Sequence, residues 1–342
     1  MTGHPFFEEF RDMSLRKFAV ALGASAVLFL SACGGAATPG EPEAPAAEKA
    51  LEIGVVNYVS HPALDAVQKG FIDGLAEAGY KDGEKITLDL QNAQADQATL
   101  TAIANQFAQG KKDLVLAIAT PSGQAVAQVI TDKPILFAAV TDPVAADLVA
   151  DWDAPGGNIT GASDLNPVED QLKLIQEIDP SVKTVGIVYS SGEINAEVQV
   201  EAAEKAAPGL GLRIEKAAVS NSSEVQQAAQ SLDVDAYYVP TDNNVVSGIE
   251  ALIQVAEQKQ AVVVASDEGS VERGAAASQT VNYDQQGRDA AAMAVQIFEG
   301  ADPATMPVKL QDTFDLTVNP EGAKRMGASI PDDMAARAVK TF

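Results

Sequence analysis

Only one cysteine, Cys33, and two histidines, His4 and His61, occur in the chain. A single thiol excludes an intramolecular disulfide and a cysteine metal cluster. His4 lies in a segment expected to be removed, which leaves one usable histidine, so neither a multi-histidine metal site nor a cofactor is expected. Aromatic residues make up only 5% of the chain, with one tryptophan, Trp152, in an acidic Pro/Gly-rich loop. Few rings are therefore available to stack bases or line a sugar groove. Basic residues are scarce too: 23 Lys and Arg stand against 48 Asp and Glu, a formal charge of −25. Nucleic acid and anionic membrane surfaces should repel such a chain. The sequence has no Gly-x-Ser-x-Gly elbow and no glycine-rich phosphate loop, and an enzyme is not expected.

The longest apolar run sits near the start. Arg16 and Lys17 precede Phe18 to Leu30, and Leu30-Ser31-Ala32-Cys33 follows. A basic start, a short apolar run and small residues describe a secretory signal over 1–32, with Met13 as the expected initiator. The run is short for a membrane span. Leu-Ser-Ala-Cys resembles the bacterial lipoprotein box, which implies cleavage before Cys33 and lipidation of its thiol. Removing 1–32 takes away Glu8, Glu9, Asp12, Arg11, Arg16 and Lys17, so the charge stays at −25. Residues 33–50 hold the lipidated Cys and a flexible Gly/Ala/Pro/Thr/Glu tether.

The remaining chain, hydrophobic at 46% over the whole sequence, is long enough for two cores. Ile53 to Pro62 reads as a buried strand ending in polar residues before a helix, the first unit of an open α/β sheet. Val185 to Asn195 repeats the pattern, so two similar lobes with a cleft between them are expected. Leu114–Ala119 and Ile135–Val140 are continuous apolar runs, as strands covered on both faces require. Strands and helices alternate, which argues for doubly wound parallel sheets. The expected division is 51–161 for the first lobe, 162–280 for the second, and 281–342 for a C-terminal segment crossing between them.

Ligands in such sheets sit beyond the carboxyl ends of the strands. The candidates there are Tyr58, Ser60 and His61; Thr120, Pro121 and Ser122; Thr141 and Asp142; and Ser163 and Asp164. The second lobe adds Tyr189, Glu193, Asn195, Thr241, Asp242, Asn243 and Asp267, followed by Tyr283 and Asp284. Thr120-Pro121-Ser122 sets hydroxyls and unpaired amides at a helix start, suited to a carboxylate. A buried carboxylate calls for a cationic ligand group. Ser122, Thr141 and the amides after Thr120 are expected to meet a ligand carboxylate, and Asp242, Asp284 or Glu193 its ammonium. A ring would need Tyr58, Tyr189, Tyr283 or Phe137.

Seven segments carry a family resemblance: HPALDAVQKGF (61–71), AIATPSGQA (117–125), FAAVTDPVAADLV (137–149), GNITGASDLNP (157–167), VGIVYSSGEIN (185–195), YVPTDNN (238–244) and VNYDQQG (281–287). With these the chain resembles ABC-transporter substrate-binding proteins of the tryptophan/tyrosine type over roughly residues 51–335. The resemblance implies a type I periplasmic-binding-protein fold, two α/β lobes joined by a three-stranded hinge that close on a ligand. It further implies a monomer that binds a small solute, with an aromatic amino acid expected, and feeds ABC permease subunits from outside the cytoplasm. The alternative is a ligand-sensing lipoprotein that reports to a membrane partner. A lactose-repressor-like regulator is disfavoured by the charge and by the lack of a DNA-binding helical segment ahead of residue 51.

Overall fold

The computed structural model describes residues 49–342, so the signal segment, Cys33 and nearly all of the tether lie outside the described residues. The first lobe opens with β1 (Leu51–Asn57), α1 (Pro62–Glu77), β2 (Ile86–Asn92), α2 (Gln97–Gln109) and β3 (Leu114–Ile118). It continues with α3 (Thr120–Ala127), β4 (Ile135–Val140) and β5 (Ile159–Ser163). The strands form one parallel sheet in the order β2-β1-β3-β4-β5. All residues of β3, β4 and β5 are buried, which explains their unbroken apolar or small-residue character. Phe71, Phe107 and Phe137 are wholly buried in this core, each stabilising it by roughly 1.5–3 kcal/mol.

The chain then enters the second lobe through α4 (Val168–Ile178), β6 (Thr184–Ser190), α5 (Ile194–Ala206), β7 (Arg213–Val219) and α6 (Val225–Ser231). There follow β8 (Ala236–Val239), α7 (Asn243–Ser247), α8 (Ile249–Lys259), β9 (Val262–Ala265), α9 (Glu268–Glu272) and β10 (Ala277–Thr280). From β10 it returns to the first lobe as α10 (Tyr283–Phe298), whose Tyr283, Ala290, Ala291, Met293 and Ala294 join the first core. It ends in the second lobe as β11 (Asp315–Val318), α11 (Pro320–Arg325), α12 (Asp332–Arg337) and β12 (Lys340–Thr341). The second sheet has the order β12-β11-β10-β9-β8-β6-β7. It is parallel except between β10 and β11. That exception follows from the path: β10 runs toward the hinge and β11 comes back from it.

Three connections therefore join the lobes. Around the hinge the Lys309 carbonyl accepts from Ser163 N at 2.9 Å, and Lys309 N donates to the Gly161 carbonyl at 2.8 Å. Gln311 accepts from Asn282 N at 2.8 Å and donates to the Asn282 carbonyl at 2.9 Å. These bonds tie the third connection to the first and to the second.

Helix α10 lies directly against α1. A Cβ at Gly70 would stand 2.1 Å from the Asp284 carbonyl, and one at Gly287 would stand 2.1 Å from that of Val67. Glycine at both positions lets the two backbones touch. The sequence pattern expects one helix over 244–258; Gly248 instead separates α7 from α8. Helices α9 and α12 and strand β12 were not anticipated; at two to six residues they are too short to show a period. No helix among the described residues is long and apolar enough to cross a membrane.

Candidate functional site

The carboxyl ends of β1, β3, β4 and β5 face those of β6, β8, β9 and β10 across a small cavity of about 20 Å³. That is room for roughly one water molecule, so a larger ligand enters only when the lobes part. From the first lobe and hinge it is lined by His61, Ala63, Leu64, Ala119, Ala139, Thr141, Asp164 and Tyr283. The second lobe contributes Asn195, Thr241, Asp242, Asn243, Val246 and Asp267. The lobes meet here: His61 Nε2 is 3.4 Å from Asn243 Oδ1, and the hydroxyls of Thr141 and Thr241 are 3.2 Å apart.

Two strand ends carry alanines with left-handed backbones, Ala119 at φ 78° and Ala139 at φ 54°. Such strain in a non-glycine residue persists only where its surroundings hold it. At Ala139 the β4–β5 register shifts, and the displaced amide donates to Gln286 Oε1 on α10 at 2.9 Å. Ala119 precedes α3, so the first amides of that helix, which have no intrahelical acceptor, start beside the cavity.

Asp164 is the central acid. It is 3% exposed and receives hydrogen bonds from the Thr141 hydroxyl at 2.9 Å and the Tyr283 hydroxyl at 3.2 Å. Burial pushes its carboxyl up to about 6, against the pull of those two donors. Burial likewise raises Tyr283, reinforced by Asp164 and Asp267. Asp242 caps α7, accepting from Asn244 N and Val245 N at 3.0 Å each and from the Ser190 hydroxyl at 2.9 Å; burial raises it. Asp267 caps α9 through Ser270 N at 2.8 Å. Behind the wall, Glu193 accepts from the side-chain amides of Asn195, Asn243 and Asn244 at 3.0, 2.5 and 3.1 Å. Burial, with Asp242 nearby, pushes it up to about 8. His61 is held below its ordinary value by burial, against the attraction of Asp267. Among the described residues, three carboxylates line the cavity and no Lys or Arg does.

Of the residues singled out from sequence, His61, Thr141, Asp164, Asn195, Thr241, Asp242, Asn243, Asp267 and Tyr283 come together on the cavity wall. The others stand elsewhere. Tyr58 is buried behind the wall, donating to the Ala95 carbonyl at 3.4 Å, and burial pushes it up to about 12. Ser60 is exposed and bonds Asp65 at 2.8 Å. Thr120 and Ser122 are buried at the start of α3 with hydroxyls that have no partner, and Pro121 sits between them half-buried. Asp142 caps the amides of Val144 and Ala145 at 3.0 Å. Ser163 is spent on the Thr141 carbonyl at 2.8 Å. Tyr189 packs on the second core, and Phe137 is wholly inside the first.

Two expected roles need correction. Asp284 does not face the cavity: it pairs with Arg288 at 2.7 Å and approaches Lys69 at 3.9 Å, because the first turn of α10 aims it at α1. The Thr141 hydroxyl is not available to a ligand carboxylate, since its hydrogen goes to Asp164. Sequence reasoning missed Ala63, Leu64, Ala119, Ala139 and Val246 on the wall. Small apolar residues carry no chemical signal, and only their place at strand and helix ends could have pointed to them.

A family model described as ABC transporter substrate binding protein matches residues 52–342. A tyrosine-binding protein of Clostridioides difficile is 39% identical over 281 residues, spanning 82% of this chain and 81% of the relative. The ABC domain in complex with L-Trp from Streptococcus pneumonia is 37% identical, with a TM-score of 0.83 over 86% of this chain and 100% of that one. The ligand-free, open structure of a substrate-binding protein with adhesive properties from Clostridium difficile is 41% identical, with a TM-score of 0.66 over 85% and 100% of the two chains. The better superposition on the L-Trp complex, at slightly lower identity, agrees with the contacts that join the two lobes across the cavity.

Proposed function

The chain belongs to the ABC transporter substrate-binding protein family, and from that membership we propose that it binds a free aromatic amino acid between its lobes for an ABC importer. The observation that carries this reading is the buried Asp164, lining the cavity with no cation among the described residues beside it. An ion buried without a partner costs several kcal/mol, and a ligand ammonium removes that cost. Each Asp164 oxygen accepts one protein donor, which leaves lone pairs for the ligand. The ligand carboxylate is assigned to the start of α3, where the first amides and the unpartnered Thr120 and Ser122 hydroxyls lie. Ala63, Leu64 and Val246 supply apolar wall for a ring. The tyrosine-binding relative and the L-Trp complex support an aromatic side chain.

Ligand contacts on both lobes favour closure, since only differential contact shifts such an equilibrium. The protein acts outside the cytoplasm as a monomer, held to the membrane by a lipid on Cys33 and serving ABC permease subunits. Calorimetry and thermal unfolding across the twenty amino acids test the ligand. A ligand that binds only the folded state raises the unfolding midpoint. Tryptophan, tyrosine or phenylalanine should raise it, Asp164→Asn should weaken binding roughly 100-fold, and Asp284→Asn should leave affinity within about twofold. Silence across the panel, or equal losses in the two variants, would remove the amino-acid assignment.

A further inference from the structure

The direction of the hydrogen bonds around the cavity can be followed donor by donor. Tyr283 and Thr141 both give their hydroxyl hydrogens to Asp164. Because Thr141 has given its hydrogen to Asp164, Thr241 is the donor across their 3.2 Å contact, while it accepts from Gln199 Nε2. Asn195 Nδ2 donates to Glu193 at 3.0 Å and to the Thr241 carbonyl at 2.7 Å, which uses both amide hydrogens. These lining residues have no side-chain hydrogen left to offer.

The acceptors are in surplus. With its nitrogen held by Glu193 and Thr241, Asn195 must present Oδ1 elsewhere, and that oxygen is buried without a partner. Asn243 gives its amide nitrogen to Glu193 and turns Oδ1 to His61 Nε2. Nε2 therefore carries the proton of the neutral ring, and Nδ1 is an acceptor. It too is buried without a partner. Both residues line the cavity, one from each lobe. A buried polar atom left unpaired costs roughly 1–3 kcal/mol, so the wall is complete only when a donor reaches it.

We infer that Asn195 Oδ1 and His61 Nδ1 form an acceptor-only subsite that selects a ligand side chain bearing an N–H or O–H donor. Glu193 is the positioning residue that orients both, directly through Asn195 and through Asn243 for His61. The inference rests on the amino-acid reading above and deepens it. Once Asp164 holds the ammonium, the remaining donor of an aromatic amino acid is the indole N–H or the phenol O–H. A phenyl ring has none and leaves both acceptors buried and unpaired. A site built to bond a hydroxyl or amine group rejects the analogue that lacks it far more strongly than an apolar pocket rejects a change in size.

The test uses calorimetry with two matched pairs of ligands: tyrosine against phenylalanine, and tryptophan against its benzothiophene isostere, in which sulfur replaces the N–H at nearly constant shape. Within at least one pair the donor-bearing ligand should bind roughly tenfold or more tightly. In Asn195→Ala and His61→Phe, and in Glu193→Leu, that ratio should fall toward one. A general loss of structure would lower both members of a pair and leave the ratio unchanged. Ratios near one in the wild type, with tight binding, would overturn the subsite while leaving the amino-acid reading intact. Unchanged ratios in all three variants would also overturn it. Absence of binding by all four ligands would overturn both.

Discussion

At the scale of single residues, the site is governed by what burial does to ionisable groups. Glu193 has no cation beside it among its hydrogen-bond partners and is pushed from an ordinary value near 4.5 to about 8. Between those values the native state keeps a proton that the unfolded chain has released. Stability must therefore fall as pH rises through that window. Asp242, also raised, adds to the same trend. His61 works the other way: it is neutral in the fold, so stability falls as pH drops below its ordinary value of 6.5. Asp164, at about 6, is already ionised in the native protein above neutrality. The range from about pH 7 to 8 therefore reports on Glu193. Urea unfolding of the ligand-free protein across it should show declining stability, with a flatter profile in Glu193→Gln. Parallel profiles would mean that Glu193 does not hold the proton.

At the scale of elements, α10 does two jobs. Its buried face completes the first core, and its Gln286 holds the displaced Ala139 amide at the cavity edge. Both depend on the backbone contact at Gly70 and Gly287. Gly287→Ala would place a methyl against the Val67 carbonyl and force the helices apart. Overpacking of this kind costs typically about 1–3 kcal/mol, and weaker ligand binding should accompany it because Ala139 loses its support. A chemical denaturation curve that superposes on wild type would show that the helices have slack. The strands and long helices of the first lobe were legible from apolar runs and 3.6-residue spacing. The break between α7 and α8 and the whole of α9 were not, because elements of five residues carry too little pattern and a single Gly248 decides where one stops.

At the scale of the whole molecule, three connections make the lobes one device. A ligand held as proposed, by Asp164 and the α3 start on one side and by Asn195 on the other, would stabilise the closed arrangement through contacts that the open one lacks. The acidic body is repelled by an anionic membrane, so its charge cannot hold it there. Attachment would then come from Cys33 alone. Cys33→Ser should move the expressed protein from the membrane fraction to the soluble extracytoplasmic fraction, with ligand affinity unchanged. Retention in the membrane fraction would point to an anchor other than the lipid.

Local chemistry determined a good deal by itself. Buried strands ending in polar residues announced two open α/β sheets, and strand ends named nine of the residues that line the cavity. An acid buried in the cleft already implied a cationic ligand group. Only the tertiary structure decided which acid is buried at the cavity. Asp164 and Asp284 both lie at lobe crossings in an equally polar context, yet one is sealed between Thr141 and Tyr283 and the other pairs with Arg288 and Lys69. The direction of each hydrogen bond was equally out of reach, since Asn195 and His61 become acceptors only because Glu193 and Asn243 claim their hydrogens. Strand and helix periods are set by neighbours a few residues away. The sense of several buried hydrogen bonds here is set by distant partners, such as Gln199 with Thr241 (42 apart) and His61 with Asn243 (182 apart). Those partners meet only when the lobes do.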